Sequence, residues 1–306
     1  MSFLLRDLAA AEPKTVVAAF AAAKVNLYLH VIGRRADGYH LLDSLIAFAD
    51  IGDRLTVAPG ATLSLEISGP EAAGLALARD DNLVLRAARL LADHTGTTLG
   101  AALHLEKNLP IAAGLGGGSS DAAAALRALA ALWQVSVGEE AMYRLGAKLG
   151  ADLAACLYGR AAWVGGIGER IEPAVDLPQA GILLANPRRE LPTAAVFAAR
   201  NGPFGETGRF APMPQDVFGL SQVLLSRRND LTEAAINLAP EIGGVLARLA
   251  RLPGALLARM SGSGATCFAL FPDRTAAHEA CAALAATEPG WWCATGGLIA
   301  GYRHSG

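Results

Sequence analysis

NLPIAAGLGGGSSDAAAALRALAALW, Asn108 to Trp133, sets four glycines and two serines against the start of an alanine-rich run with helical character. Unpaired N–H groups at a helix start, joined by those of a glycine-rich approach, form an anion cradle. The helix dipole favours a nearby negative charge by about 0.3–1 kcal/mol. A Cβ at these positions would hold a polyphosphate away from the backbone. Ser119 and Ser120 stand where they can cap the helix and offer hydroxyls to phosphate oxygens. No Lys-Ser/Thr follows the glycines as Walker A requires, and the spacing and preceding context differ from the dinucleotide fingerprint. The protein-kinase signatures VAIK, HRD and DFG are absent. Alone, the loop reads either as a phosphate binder or as a close-packing turn.

Working outward, ALHLEKNLP alternates as a strand that runs into this loop, and ATLSLEISG alternates before it. DNLVLRAARLLADHTG has helical spacing, with Asp80 or Asp81 as cap and Gly96 as stop. Further upstream, AAAKVNLYLHVI alternates, with Lys24, Asn26, Tyr28 and His30 on a wet or functional face and Val25, Leu27, Leu29 and Val31 on an apolar one. GRRADGYH is a loop with a tight turn at Asp37-Gly38. LLDSLIAFADIGDRLTVAP reads as two strands around a turn at Asp50 to Asp53. Four or five strands before the second helix favour an α+β layer over a βαβ repeat.

Downstream, EEAMYRLGAKLGADLAACLYG is one helix, a break near Gly150 and a second helix starting near Asp152. PQAGILLANP is a strand and LPTAAVFAAR a helix. Asn201 to Val217 is a long loop rich in proline and glycine. LLARMSGSGATCFALF is a strand, a small-residue turn and a strand, and WWCATGGLIAGY supplies an edge strand.

Composition excludes several classes. The 306 residues suit about two domains. Twenty-six Lys and Arg oppose 28 Asp and Glu, a formal charge of −2, so the basic field of a nucleic-acid binder is missing. Hydrophobic residues reach 53%, yet no run is long enough and free enough of charge to span a membrane. The first residues, MSFLLRDLAAAEPK, meet Arg6 and Asp7 too early for a signal peptide, which points to the cytoplasm. Cys156, Cys267, Cys281 and Cys293 form no CxxC pair and the six histidines no metal motif.

Two charged residues invite chemistry. Lys24 and Asn26 can present an ammonium and an amide to one cavity, or Lys24 can end in solvent with Asn26 satisfying a loop. Asp152 can be a simple N-cap, or a base for a hydroxyl proton held by helix-start geometry; the two are compatible. The turn Ser261-Gly262-Ser263-Gly264 permits close approach of a backbone or a phosphate.

In this order the pieces resemble the GHMP kinase superfamily, named for galactokinase, homoserine kinase, mevalonate kinase and phosphomevalonate kinase. GRRADGYH together with GLGGGSSDAA resembles its branch acting on 4-diphosphocytidyl-2-C-methyl-D-erythritol in non-mevalonate isoprenoid synthesis. The resemblance implies a two-domain α+β fold: a ribosomal protein S5 domain 2-like nucleotide domain over 1–174 and a ferredoxin-like domain over 175–306, with the last strand able to return to the first. It implies ATP and Mg²⁺, a cytoplasmic monomer or weak homodimer, and no nucleic acid or membrane partner. Gly114, Leu115, Gly116, Gly117, Gly118, Ser119 and Ser120 would hold the ATP phosphates, with Asn82, Leu83 and Pro110 also on the ATP side. Lys24 and Asp152 match the catalytic pair. Asn26, Tyr39, His40, Pro187, Thr193, Phe197, Ser261, Gly262, Ser263 and Gly264 match the substrate side. Leu153-Ala154-Ala155-Cys156 and Leu191-Pro192 depart from the family's bulkier or Val-Ser residues. A kinase for another small alcohol and an inactive nucleotide-binding regulatory module remain the alternatives.

Overall fold

The computed structural model describes residues 16–75, 82–174 and 176–301. The proposed caps Asp80 and Asp81 and the first fifteen residues lie outside them.

Two long antiparallel strands, β1 (Val17–Arg34) and β2 (His40–Gly60), form the spine. They are joined at GRRADGYH, where Gly38 takes φ +93° and the Asp37 carboxylate accepts the Tyr39 N–H. The expected turn at Asp50 to Asp53 is instead a bulge inside β2, where pairing shifts from Ala22↔Gly52 to Ala23↔Ala49. Gly52 suits it because a Cβ there would strike the Ala21 carbonyl.

β3 (Leu63–Ser68) pairs in parallel with β4 (Gly100–Glu106), which pairs with β2. Between them runs α1 (Leu83–Thr95), capped by Asn82, whose side chain accepts the Val84 N–H, and closed by Gly96 in the left-handed region. α2 (Gly117–Leu132) follows the glycine loop, then α3 (Glu139–Ala147), α4 (Ala151–Tyr158) and the hairpin β5 (Ala162–Gly166)–β6 (Arg170–Pro173). Ala122 to Ala125 of α2 pack on Ala21, Ala22, Ile46 and Phe48. Alanine lets the helix approach the spine closely.

The second half holds β7 (Gly181–Asn186), α5 (Thr193–Ala199), α6 (Val217–Leu225), α7 (Thr232–Leu238), α8 (Glu241–Leu249), β8 (Leu257–Met260), β9 (Cys267–Phe271), α9 (Arg274–Thr287) and β10 (Trp292–Ile299). β10 is not the expected edge strand. Trp292 to Gly297 pair with β7, and Leu298 and Ile299 pair with β2, so it joins the halves in the order β3-β4-β2-β10-β7-β9-β8. Its glycines permit this: the Gly297 N–H reaches Asp50 at 2.7 Å, and a Cβ on Gly297 would lie 2.8 Å from the Arg274 guanidinium.

β1 is buried on both faces from Ala21 to Val31, so the face carrying Lys24 and Asn26 is not wet, and these two side chains line the cavity described below. Alternation also breaks at a bulge between Asn26 and Tyr28. Beyond it the faces exchange. Leu29 lines the cavity described below, whereas Tyr28 donates to Asp43 at 2.7 Å and His30 meets the Glu206 carbonyl in the 201–216 loop.

Candidate active site

The glycine loop and the α2 N-terminus form one wall of a cavity of about 1060 Å³. α2 begins at Gly117, before the serines, and its cap position is Gly116 at φ +63° with no side-chain cap bond. The capping expected of Ser119 and Ser120 therefore does not occur, and the first-turn N–H groups have no side-chain partner from the cap. Gly114, at φ +75°, lies so near the SGSG turn that a Cβ would strike the Ser261 carbonyl. The Ser261 hydroxyl donates to the Gly114 carbonyl at 2.9 Å and the Thr266 N–H to the Ala113 carbonyl at 3.1 Å, so this turn braces the cradle from behind.

Lys24 lies against the cradle. Its N–H donates to the Leu115 carbonyl at 2.9 Å, and a Cβ on Gly116 would stand 3.1 Å from its Cε. The Lys24 ammonium donates to Asn26 Oδ1 at 3.0 Å and to Asp152 Oδ1 at 3.2 Å. Gly150 holds the α4 cap position and Asp152 stands one residue inside the helix, so the carboxylate is not the cap. The pair is asymmetric: the Lys24 side chain is 5% exposed and that of Asp152 52%. The lysine is fixed and desolvated, and the carboxylate opens to the cavity. Asn26 Nδ2 donates to Ser44 Oγ at 2.9 Å, which fixes the amide.

The cavity continues past Thr193, whose hydroxyl lies 2.9 Å from that of Ser263, to His40, Tyr39 and Phe197. The His40 and Phe197 rings stack with centroids 5.2 Å apart and planes 26° apart. Partial burial, with Arg34 and Arg200 nearby, holds His40 below the usual imidazole range and favours its neutral form. Tyr39 is largely exposed at the mouth.

Of the residues singled out in the sequence, Lys24, Asn26, Tyr39, His40, Asn82, Leu83, Pro110, Gly114, Gly116, Gly117, Gly118, Ser119, Asp152, Thr193, Phe197, Gly262 and Ser263 line this cavity. Five do not line it. Ser120 is fully buried and its hydroxyl donates to the Ala22 carbonyl at 2.7 Å, so it is turned away from any phosphate. Leu115 is a core side chain, Ser261 braces the cradle, and Gly264 and Pro187 stand outside the lining. Most of the departures are packing features: Leu153 and Cys156 are fully buried, burial pushes the Cys156 thiol up to about 12, and Leu191 packs in the second core, whereas Ala155 lines the cavity and Pro192 is exposed at the α5 cap position.

Sequence reasoning passed over Lys107, Asp121 and Asp53. Lys107 and Asp121 line the cavity, and the Lys107 ammonium bridges Asp53 (2.5 Å) and Asp121 (2.7 Å). Asn229 was also missed; it ties the turn by donating to the Met260 and Gly262 carbonyls at 2.8 Å each. The local signal for Lys107 was a lysine inside an alternating strand directly before the glycine loop.

Residues 82–160 match the GHMP kinases N terminal domain and 219–290 the GHMP kinases C terminal domain. A 4-diphosphocytidyl-2-C-methyl-D-erythritol kinase of Paramagnetospirillum magneticum is 51% identical over 279 residues, 91% of this chain and 97% of that protein. The chain belongs to the 4-diphosphocytidyl-2-C-methyl-D-erythritol kinase family of GHMP kinases. A member from Cereibacter sphaeroides is 53% identical over 291 residues, 92% of this chain and 99% of that protein. A crystal structure of a 4-(cytidine 5'-diphospho)-2C-methyl-D-erythritol kinase superposes with a TM-score of 0.74 at 36% identity, covering 94% of this chain and all of that one. The α+β GHMP kinase architecture and nucleotide binding come with this family. Among the described residues no helix is long and apolar enough to cross a membrane.

Proposed function

We propose that the chain transfers the γ-phosphoryl group of ATP to the 2-hydroxyl of 4-diphosphocytidyl-2-C-methyl-D-erythritol, the alcohol named in its relatives. The observation that carries this reading is the Lys24–Asp152 pair at 3.2 Å, against an open helix N-terminus and inside one cavity with the His40–Phe197 stack. Nucleotide binding alone needs no fixed carboxylate facing a second ligand.

The backbone of Gly114 and Gly116 to Ser119 cradles the phosphates, with Asn82, Leu83 and Pro110 around the adenosine. His40, Phe197 and Tyr39 hold the cytidine end, while Asn26, Thr193 and Ser263 border the path of the alcohol. Asp152 takes the proton of the tertiary 2-hydroxyl as that oxygen attacks the γ-phosphorus in line; the bond to the β–γ bridging oxygen breaks and ADP leaves. The proton then passes from Asp152 to solvent, to which the side chain is half open. Lys24 stabilises the charge shared by the attacking oxygen and the moving phosphoryl. Positioning and electrostatics carry such transfers without a covalent enzyme intermediate. Residues 1–174 act as the nucleotide domain and 175–306 as the second, whose last strand, β10, returns to pair with β2 of the first.

Magnesium fits as an ion carried by the nucleotide. Among the described residues no three His, Cys, Asp or Glu side chains gather into a protein-built site, and Mg²⁺ commonly binds phosphates, water and one or two carboxylates. The ion would be held by the phosphates and water, would neutralise phosphate charge, and would leave Asp152 free for the hydroxyl proton. With ATP, Mg²⁺ and the diphosphocytidyl alcohol, the purified protein is expected to form ADP and the 2-phosphate in equal amounts. Efficient phosphorylation of a different alcohol instead would overturn the substrate assignment.

A further inference from the structure

The neck of the glycine cradle is closed by three charged side chains, each more than nine-tenths buried. Asp53, just past the β2 bulge, accepts the Asn108 N–H at 2.6 Å and the Leu109 N–H at 2.9 Å through one oxygen, and Lys107 Nζ at 2.5 Å through the other. Lys107 also donates to Asp121 Oδ2 at 2.7 Å in the opening turns of α2. The chain entering the cradle and the helix leaving it are thus bolted to one ammonium. A Cβ on Gly117 would stand 3.6 Å from Lys107 Nζ and 3.8 Å from Asp53 Oδ2, so the cluster lies directly beneath the cradle.

The cluster is unbalanced. Two carboxylates share one ammonium, and Asp121 Oδ1 is buried with no hydrogen-bond partner. The other groups facing it do not correct this. β1 presents Lys24, already committed to Asn26 and Asp152. α4 presents Cys156, a neutral thiol, and Asp152 beyond it. α1 turns Val84, Ala87, Ala88 and Leu91 inward, and beside Lys107 the Glu106 carboxylate accepts from Asn108. Burial pushes Asp121 up to about 7, with Asp53 adding to the effect and Lys107 opposing it. Burial likewise works against the Lys107 ammonium, but the two acids overcome it and keep its pKa above the usual lysine range.

We propose that Asp53, Lys107 and Asp121 are positioning residues for the nucleotide cradle, and that Asp121 takes up a proton when a triphosphate enters. This rests on the reading of the cradle as the ATP phosphate site. With both acids ionised the cluster is net negative beneath an anion site; with Asp121 protonated it is neutral. ATP binding favours the neutral form, and by linkage its affinity falls as pH rises through neutrality.

The test is calorimetric titration with Mg-ATP from pH 6 to 8.5, in buffers of differing ionisation enthalpy, for the natural protein and Asp121→Asn. Asparagine keeps the shape and an acceptor for Lys107 while removing the charge. The natural protein is expected to take up protons on binding near pH 7.5 and to lose about tenfold in affinity toward pH 8.5, the equivalent of one pKa unit of coupling. Asp121→Asn is expected to hold its affinity at the natural protein's acidic level and to add no proton uptake beyond that of the nucleotide, which is common to both. An unchanged pH slope in Asp121→Asn, or weaker binding than the natural protein at pH 8.5, overturns the proposal. Should the variant not fold, absence of proton uptake by the natural protein near pH 7.5 overturns it equally. Failure of Mg-ATP to bind the natural protein at any pH instead refutes the cradle assignment itself.

Discussion

Asp152→Asn separates catalysis from stability. Asparagine retains an oxygen for the Lys24 ammonium at 3.2 Å and leaves the α4 backbone unaltered, but it cannot accept a proton. The stability cost is modest because the Asp152 side chain is 52% exposed. The lost charge is half in solvent, but the Lys24 side chain is only 5% exposed, so with the asparagine oxygen still accepting from it the cost is about 1–2 kcal/mol, a shift of roughly 2–4 °C in melting temperature for a chain this long. The rate effect is larger, since a positioned acid–base group contributes about 10²–10⁴-fold, or roughly 3–5 kcal/mol of barrier. The assay is steady-state ADP release with both substrates varied, beside a thermal melt. The expected result is kcat lowered at least about 100-fold, KM for ATP within about threefold, and a melt lowered by only about 2–4 °C. An unchanged kcat would make Asp152 a mere counter-ion of Lys24, and a large loss of melting temperature would mean that the pair is structural.

Further outcomes follow from individual contacts. Phe197→Ala removes the partner of the His40 ring and should raise KM for the cytidine-bearing alcohol by about 3–10-fold, leaving KM for ATP unchanged in the same assay. Ser119→Ala and Ser120→Ala should differ: the first raises KM for ATP, while the second costs about 1 kcal/mol in denaturant unfolding, because its hydroxyl serves the Ala22 carbonyl. For Asp121, the folded pKa exceeds the unfolded one, so between about pH 4 and 7 the native state binds the extra proton and this group's contribution to stability declines as pH rises. Chemical denaturation at pH 8 should therefore find Asp121→Asn more stable than the natural protein by about 1 kcal/mol or more, with the difference closing below pH 4.

The legible parts of the sequence were those governed by local chemistry. Leu83 through Gly96 carry a helix with its stop, although its cap is Asn82 and neither Asp80 nor Asp81, and Gly38 and Gly114 mark positions where the backbone takes positive φ. What escaped was set by partners distant along the chain. A bulge is invisible to period-two reading, so Tyr28 and His30 were assigned to the face that Leu29 takes, and the interruption at Asp50 to Asp53 looked like a turn. β10 reads as an edge strand in the sequence, and Ala294 to Gly297 offer little apolar surface. Yet those small residues are what let Asp50 and Arg274 close over the joint between β2 and β7.

Lys24 and Lys107 show why residue type alone could not rank the charged groups. Both sit in or just after alternating strands, and both are almost fully buried. Their partners decide what each can do. Lys24 faces a carboxylate open to the cavity, so a proton can move there as a ligand reacts. Lys107 faces two enclosed carboxylates 54 and 14 residues away in sequence, so it can only hold the cradle and set its charge. A charge becomes chemically available through the exposure of its counter-ion. That property belongs to the assembled walls of the cavity and to no segment read alone.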